Sequence, residues 1–190
     1  MTMRQAVEIL QQHRTDQVMI VPFTGYAEWQ GVSTRPELDI PFYGAMGKAG
    51  STGLGLALAR PDVTVWVADG DGSLLMNLGS LVTIAQMKPR NLVHMVLENG
   101  VYGTTGGQPI PGAGVVDFAA VARAAGFERT YVFDDAATME REIGAILRQE
   151  GPIFITLKVE PAVARTRNRK PTKDAIRDVM AAINRSPAMA

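Results

Sequence analysis

The sequence predicts a three-layer α/β/α fold built on a mostly parallel central sheet. Three observations point there: short β-branched runs alternate with longer helical patterns, each run is almost continuously apolar, and no composition break, repeat or low-complexity tract divides the chain. Strands that are apolar throughout belong to a sheet covered on both faces, as parallel sheets between helix layers are. Regular alternation with helices makes the class α/β. A length of 190 residues is that of one ordinary domain, so the expected organisation is a single domain over residues 1–190.

The opening MTMRQAVEILQQHR sets Arg4, Glu8 and His13 among Ile9 and Leu10, which reads as an amphipathic helix and lacks the apolar block of a signal peptide. Strands are expected at 17–22, 63–68, 92–97, 130–133 and 153–159, where β-branched and other apolar residues cluster. Helices are expected at 49–59, 73–87, 117–125, 136–149 and 172–183. In the second of these, Leu74, Leu78, Leu81, Val82 and Ala85 fall on one face at helical spacing. Residues 24–44 and the Gly- and Pro-rich 100–114 resist regular assignment. Long irregular segments in a compact α/β domain are commonly working loops.

Composition excludes several classes. Nineteen Lys plus Arg balance nineteen Asp plus Glu, so no overall basic field gathers nucleic acid or acidic membranes. No run approaches the ~18 apolar residues of a membrane span. Zero cysteines remove disulfides, zinc-thiolate sites and iron–sulfur clusters. The expectation is a soluble cytoplasmic protein with neither nucleic-acid nor membrane partners.

The chemistry concentrates where VTVWVA runs into Asp69-Gly70-Asp71-Gly72-Ser73. A Gly-rich turn from strand to helix lets backbone N–H groups approach an anion, and the helix start favours negative charge there. Asp71 would repel a bare diphosphate, and a divalent cation between carboxylate and phosphate resolves the conflict, as Mg²⁺ prefers. A second ligand is expected at the end of a neighbouring parallel strand. The next strand ends in Glu98-Asn99-Gly100, which puts Asn99 one helix and one strand beyond Asp71. Asp-Gly and Asn-Gly are also ordinary turn dipeptides, so the joint placement carries the reading. Replacing Asp71 or Asn99 is expected to weaken cofactor binding with little loss of fold, since both sit at loop ends.

The stretch GDGSLLMNLGSLVTIAQMKPRNLVHMVLEN resembles the diphosphate-binding domain of thiamine-diphosphate-dependent enzymes, whose motif begins Gly-Asp-Gly and ends in Asn. The resemblance implies that Asp71 and Asn99 bind Mg²⁺ with the backbone carbonyl of Val101. Glu98 stands where many members have the first of two Asn. A second block agrees: Phe42-Tyr43-Gly44-Ala45-Met46-Gly47, then Gly50, Gly53 and Gly55. By resemblance Met46 props the cofactor in its V shape, the Gly44 carbonyl accepts a hydrogen bond from the aminopyrimidine, and both count as catalytic positions. The implied cofactor contacts are Gly44, Ala45, Met46, Gly70, Asp71, Gly72, Ser73, Asn99, Val101, Tyr102, Gly103, Thr104 and Thr105. From about Pro41 to Pro111 the sequence is most similar to sulfopyruvate decarboxylase beta subunits and phosphonopyruvate decarboxylases; residues 24–35 diverge most.

Activation of this cofactor in the family needs a Glu from a separate pyrimidine-binding domain, and this chain has no second α/β unit. The resemblance therefore implies a hetero-oligomer with a pyrimidine-binding alpha-type subunit and a small 2-oxoacid as substrate. The rival readings are a carboligase of the acetohydroxyacid synthase type and a non-catalytic α/β module that binds a phosphate ligand. A 2-oxoacid:ferredoxin oxidoreductase subunit is disfavoured, because no cysteine remains to hold a cluster. His13 and His94 read as structural, with no His pair for a base or zinc site. Glu28, Trp29 and Gln108 are candidates for a pocket lining, and Tyr26 with Trp29 for an apolar substrate wall. Arg165, Arg167, Arg169, Lys170 and Lys173 form a basic run: a solvated connection, or a means of recruiting a dianionic substrate.

Overall fold

A computed structural model of the chain describes residues 1–161 and 170–185. Its centre is a six-stranded sheet in which every pairing is parallel. In chain order the main elements are helix α1 (Met3–Gln12), strand β1 (Val18–Pro22), α2 (Phe23–Trp29), β2 (Asp39–Phe42), α3 (Ala49–Ala59) and β3 (Val65–Gly70). There follow α4 (Asp71–Leu75), α5 (Gly79–Met87), β4 (Leu92–Glu98), a hairpin of β5 (Val101–Tyr102) and β6 (Gln108–Pro109), and α6 (Phe118–Ala125). The chain then forms β7 (Arg129–Phe133), α7 (Ala136–Ile146), β8 (Ile153–Lys158) and α8 (Thr172–Arg185). The sheet order is β2-β1-β3-β4-β8-β7.

Successive strand residues serve opposite layers, as the period of two requires. Val18, Ile20, Val65 and Val67 point into a core shared with α3, α4, α5, α6 and α8. Met19, Val21, Trp66 and Ala68 point into a second core with α1, α2 and α7. Both faces being covered explains the continuous hydrophobicity of the strands. Among the described residues no helix is long and apolar enough to cross a membrane.

Three local expectations are corrected. The helix expected over 73–87 is two helices interrupted after Leu75, and Val82 is exposed on the second. Asn77 sits in the break with its side-chain amide turned to the Gly47 carbonyl at 2.9 Å, and Gly79, a poor helix former, begins the second helix. Residues 24–44 are not irregular, since they hold most of α2, a 3-10 turn at Pro36–Leu38 and all of β2. That strand is a sheet edge carrying Asp39 and Pro41, a composition that an edge tolerates and that hides it from pattern reading.

Helix α2, which follows β1, packs into the second core, whereas α4, which follows β3, packs into the first. Connections leaving adjacent strands toward opposite faces open a crevice at the strands' carboxyl ends. β1 and β3 are adjacent, and Gly70 and Asp71 lie at that crevice.

Candidate functional site

A cleft opens at this switch point. One wall is the turn from β3 into α4, with Gly70, Asp71, Gly72 and Ser73; another is the end of β4 and its hairpin, with Leu97, Asn99 and Val101 to Thr105. Met46 reaches it from the turn before α3, and Pro22, Phe23, Thr24, Gly25 and Met3 close it from β1, α2 and α1.

Asp71 is almost fully buried and organises the centre of the site. Its Oδ1 accepts the Gly72 N–H at 2.7 Å and its Oδ2 accepts the Gly100 N–H at 2.7 Å, which ties the ends of β3 and β4 together. Burial pushes the carboxyl above the ordinary Asp range, and the N–H donors of Gly100 and Gly72 oppose that shift. Asn99 is also buried, and its Oδ1 accepts the Val101 N–H at 3.0 Å. The Val101 carbonyl accepts from the Gly103 N–H at 3.1 Å. Carbonyl and carboxylate oxygens each keep acceptor capacity beyond one such bond.

These residues fit a divalent cation. Among the described residues no Lys, Arg or His forms an ion pair with Asp71. A buried carboxylate without a cation is costly. Those residues also hold no trio of His, Cys, Asp or Glu placed for a metal. The donor set is thus one carboxylate with neutral oxygens, the kind Mg²⁺ shares with phosphates and water.

The second sequence block is held against the first. Gly47 donates its N–H to Ser73 Oγ at 2.9 Å, and the turn it occupies brings Met46 to the cleft. Gly44 and Ala45 are in the same turn but outside the cleft lining. Gly72 is required sterically, since a Cβ there would lie 2.4 Å from Tyr102 Cε1. Thr104 Oγ1 lies 3.3 Å from Thr24 Oγ1, a hydroxyl pair across the cleft, whereas Thr105 Oγ1 donates to Gln108 Oε1 at 3.0 Å.

Other expectations separate from the site. Trp29 is fully buried core, Tyr26 packs edge-on to Tyr43, Glu28 lies 3.7 Å from Arg4, and Gln108 is exposed on the hairpin. None of the four lines the cleft. Arg165, Arg167 and Arg169 lie outside the described residues, and Lys170 pairs with Asp178. His13 packs against Gly144, and His94 is buried under the sheet's first core. Sequence reasoning missed Met3, Pro22, Phe23 and Leu97 as lining residues, whereas Thr24 and Gly25 belong to the divergent segment 24–35 that it expected to wall the pocket. Phe23 has φ +46°, a strained conformation for a bulky side chain and one that no local sequence signal announces.

Fold and cleft together define an open parallel α/β domain with a ligand site at its topological switch point. The chain belongs to the thiamine pyrophosphate enzyme family: residues 30–157 match the C-terminal TPP-binding domain. It is 43% identical over 130 residues to a phosphonopyruvate decarboxylase of Streptomyces hygroscopicus, an alignment covering 67% of this chain and 32% of that protein. It is 45% identical over 121 residues to the sulfopyruvate decarboxylase subunit beta of Methanothermobacter thermautotrophicus, covering 64% of this chain and 62% of that subunit. The chain thus spans about a third of the first relative and under two thirds of the second. An X-ray structure of a protein assigned as a thiamin diphosphate-dependent enzyme, from Mycobacterium smegmatis, superposes with a TM-score of 0.71 at 26% identity, covering 85% of this chain and 32% of that one. The family match begins at residue 30, so the cleft wall from Met3 and Pro22 to Gly25 lies outside it.

Proposed function

We propose that this chain is the thiamine-diphosphate- and Mg²⁺-binding subunit of a two-component decarboxylase acting on small 2-oxoacids of the sulfopyruvate and phosphonopyruvate kind. The observation that carries the reading is the Asp71 carboxylate, buried at the cleft, held by two backbone N–H groups and paired with no cation among the described residues. In this reading Asp71, the Asn99 side chain and the Val101 carbonyl hold Mg²⁺. Gly70, Gly72, Ser73, Tyr102, Gly103, Thr104 and Thr105 seat the diphosphate. Met46 is the apolar prop, and its turn with Gly44 and Ala45 presents the Gly44 carbonyl to the aminopyrimidine.

The cofactor, when bound, supplies stabilisation of the carbanion that decarboxylation leaves. The chain's own residues orient and anchor it. Gly72 and Gly100 hold Asp71 in one rotamer, and Ser73 fixes the Met46 turn through Gly47. Met46, Phe23 and Leu97 give the cleft an apolar part that excludes water. The activating Glu comes from a pyrimidine-binding alpha-type subunit, so the working unit is a cytoplasmic hetero-oligomer in which residues 1–190 form one domain. The beta-subunit name of the archaeal relative supports a partner.

Calorimetry of thiamine diphosphate binding with Mg²⁺ and with a chelator tests the cofactor assignment, and Mg²⁺-independent binding would overturn it. Carbon dioxide release by the complex with its partner, from sulfopyruvate, phosphonopyruvate, pyruvate and benzoylformate, tests the rest. The expected order puts the two dianionic substrates first. A highest specificity constant for benzoylformate removes that substrate class, and full activity of this chain alone removes the partner.

A further inference from the structure

We propose that His94 and Asp69 form a positioning pair beneath the cleft, which locks the turn carrying Asp71 to the helix that follows Met46. The role in cofactor binding rests on the reading above; the placement rests on geometry alone. β3 and β4 run parallel with Val67 opposite His94 and Asp69 opposite Val96. His94 and Asp69 therefore project from the same sheet face, diagonal to each other.

That face is dry. His94 has no exposed surface, and neither ring nitrogen has a hydrogen-bond partner among the described residues. Its ring stands edge-on to Phe154 with centroids 5.5 Å apart, and its Nε2 is 3.8 Å from Asp69 Oδ2. Among the described residues no other basic side chain lies within 4 Å of the Asp69 carboxylate. A leucine would fill the same volume without burying two unpaired nitrogens, so volume alone does not account for an imidazole here.

The ring touches two segments that carry the site. On one side Asp69 Oδ1 accepts the Gly70 N–H at 2.9 Å, so the rotamer of Asp69 sets the peptide leading into Asp71. On the other side the ring abuts the first turn of α3: a Cβ on Gly50 would lie 2.8 Å from His94 Cε1 and 3.5 Å from each ring nitrogen. Gly50 is four residues beyond Met46. A glycine cut to the shape of the imidazole on one side and a carboxylate on the other make His94 the common contact of both walls. It touches no cleft surface itself. Its effect runs through Asp69 and Gly50.

The test uses the full chain with His94→Leu, which keeps volume, His94→Gln, which restores an N–H toward Asp69, and Asp69→Asn. In the cofactor-free chain, amide hydrogen exchange at residues 45–50 and 69–72 should rise about tenfold in His94→Leu and Asp69→Asn, stay unchanged in α1 and α7, and return most of the way in His94→Gln. With saturating Mg²⁺ the dissociation constant for thiamine diphosphate should rise about tenfold in His94→Leu and in Asp69→Asn, in the range that outer-shell partners of a metal site show, and stay near the wild-type value in His94→Gln. In the double variant it should rise no further, because the two side chains act as one unit. Exchange that is unchanged, or raised uniformly across the sheet, reduces the pair to core packing and overturns the proposal. So does unaltered cofactor affinity in His94→Leu and Asp69→Asn of a wild-type chain that binds. A wild-type chain that binds no cofactor yet shows the localised exchange pattern overturns the cofactor reading and upholds the pair.

Discussion

Ser73 Oγ accepts a 2.9 Å hydrogen bond from the Gly47 N–H, and four residues further on Asn77 Nδ2 donates to the Gly47 carbonyl at 2.9 Å. One residue of the Met46 turn is thus gripped through both its N–H and its carbonyl by the segment that follows Asp71. Gly47 takes φ +73°, and a Cβ on it would come within 3.1 to 3.3 Å of Asn77 Cβ, Met76 Cβ and the Ser73 carbonyl. The close approach and the left-handed backbone both demand glycine.

Ser73→Ala should therefore leave a buried N–H unsatisfied and lower stability by about 1–3 kcal/mol. Urea denaturation measures that loss. The same variant should weaken thiamine diphosphate binding, because Met46 loses its anchor; an unchanged affinity would detach Met46 from the site.

Asp71→Ala should destabilise the cofactor-free chain as well as abolish Mg²⁺-dependent binding. The sequence expectation of little loss of fold is revised here, since Asp71 closes the Gly72 and Gly100 N–H groups. The expected cost is about 1–3 kcal/mol per group left unpaired. Asn99→Ala frees only the Val101 N–H and should cost less. Thermal melts without Mg²⁺ separate the two, and equal melting temperatures would contradict the bonding described.

Arg14 and Asp39 form a buried ion pair at 2.8 Å, with side chains 0% and 2% exposed, and Ser33 Oγ donates to the same carboxylate at 2.5 Å. Arg14→Met leaves Asp39 buried without its cation and should cost about 3–5 kcal/mol. The double change Arg14→Met with Asp39→Leu should recover much of it. Chemical denaturation of the two variants decides; an equal or greater loss in the double variant would mean that the pair itself stabilises the fold.

The Tyr26 hydroxyl is pushed up to about 12 by burial, with Asp39 and Tyr43 adding to the shift. A folded-state value above the unfolded one of about 10 means that the fold holds the neutral phenol. Its contribution is fully present below about pH 10 and is lost as pH rises toward 12. Alkaline titration of phenolate absorbance should show a late component that is lost in Tyr26→Phe. An unchanged titration curve at high pH in Tyr26→Phe would rule out the buried hydroxyl.

Much of the fold was legible because both faces of the sheet are covered. Runs such as Val65–Gly70 and Leu92–Glu98 need no partner in view to declare themselves, since each is buried nearly end to end. β2 was not legible, because an edge strand of four residues with Asp39 and Pro41 lacks that signature. The single helix expected over 73–87 failed for a different reason: its apolar spacing continues through a break stabilised by contacts with the Gly47 turn, far away in sequence.

By itself the sequence determined the α/β class, written in apolar runs of contiguous residues, and it put Asp71 and Asn99 just past the ends of successive strands, whereas Met46 became a candidate through the family resemblance. The tertiary structure decided which other residues share the cleft. Met3, Phe23 and Thr24 reach it because β1 lies next to β3 while their following helices leave toward opposite layers. It also removed Tyr26 and Trp29 from the site by burying them in the second core. Strand order and the face that each connection takes are settled by the packing of whole layers, whereas periodicity and turn chemistry act within a few residues; only the latter leave a local trace in the chain.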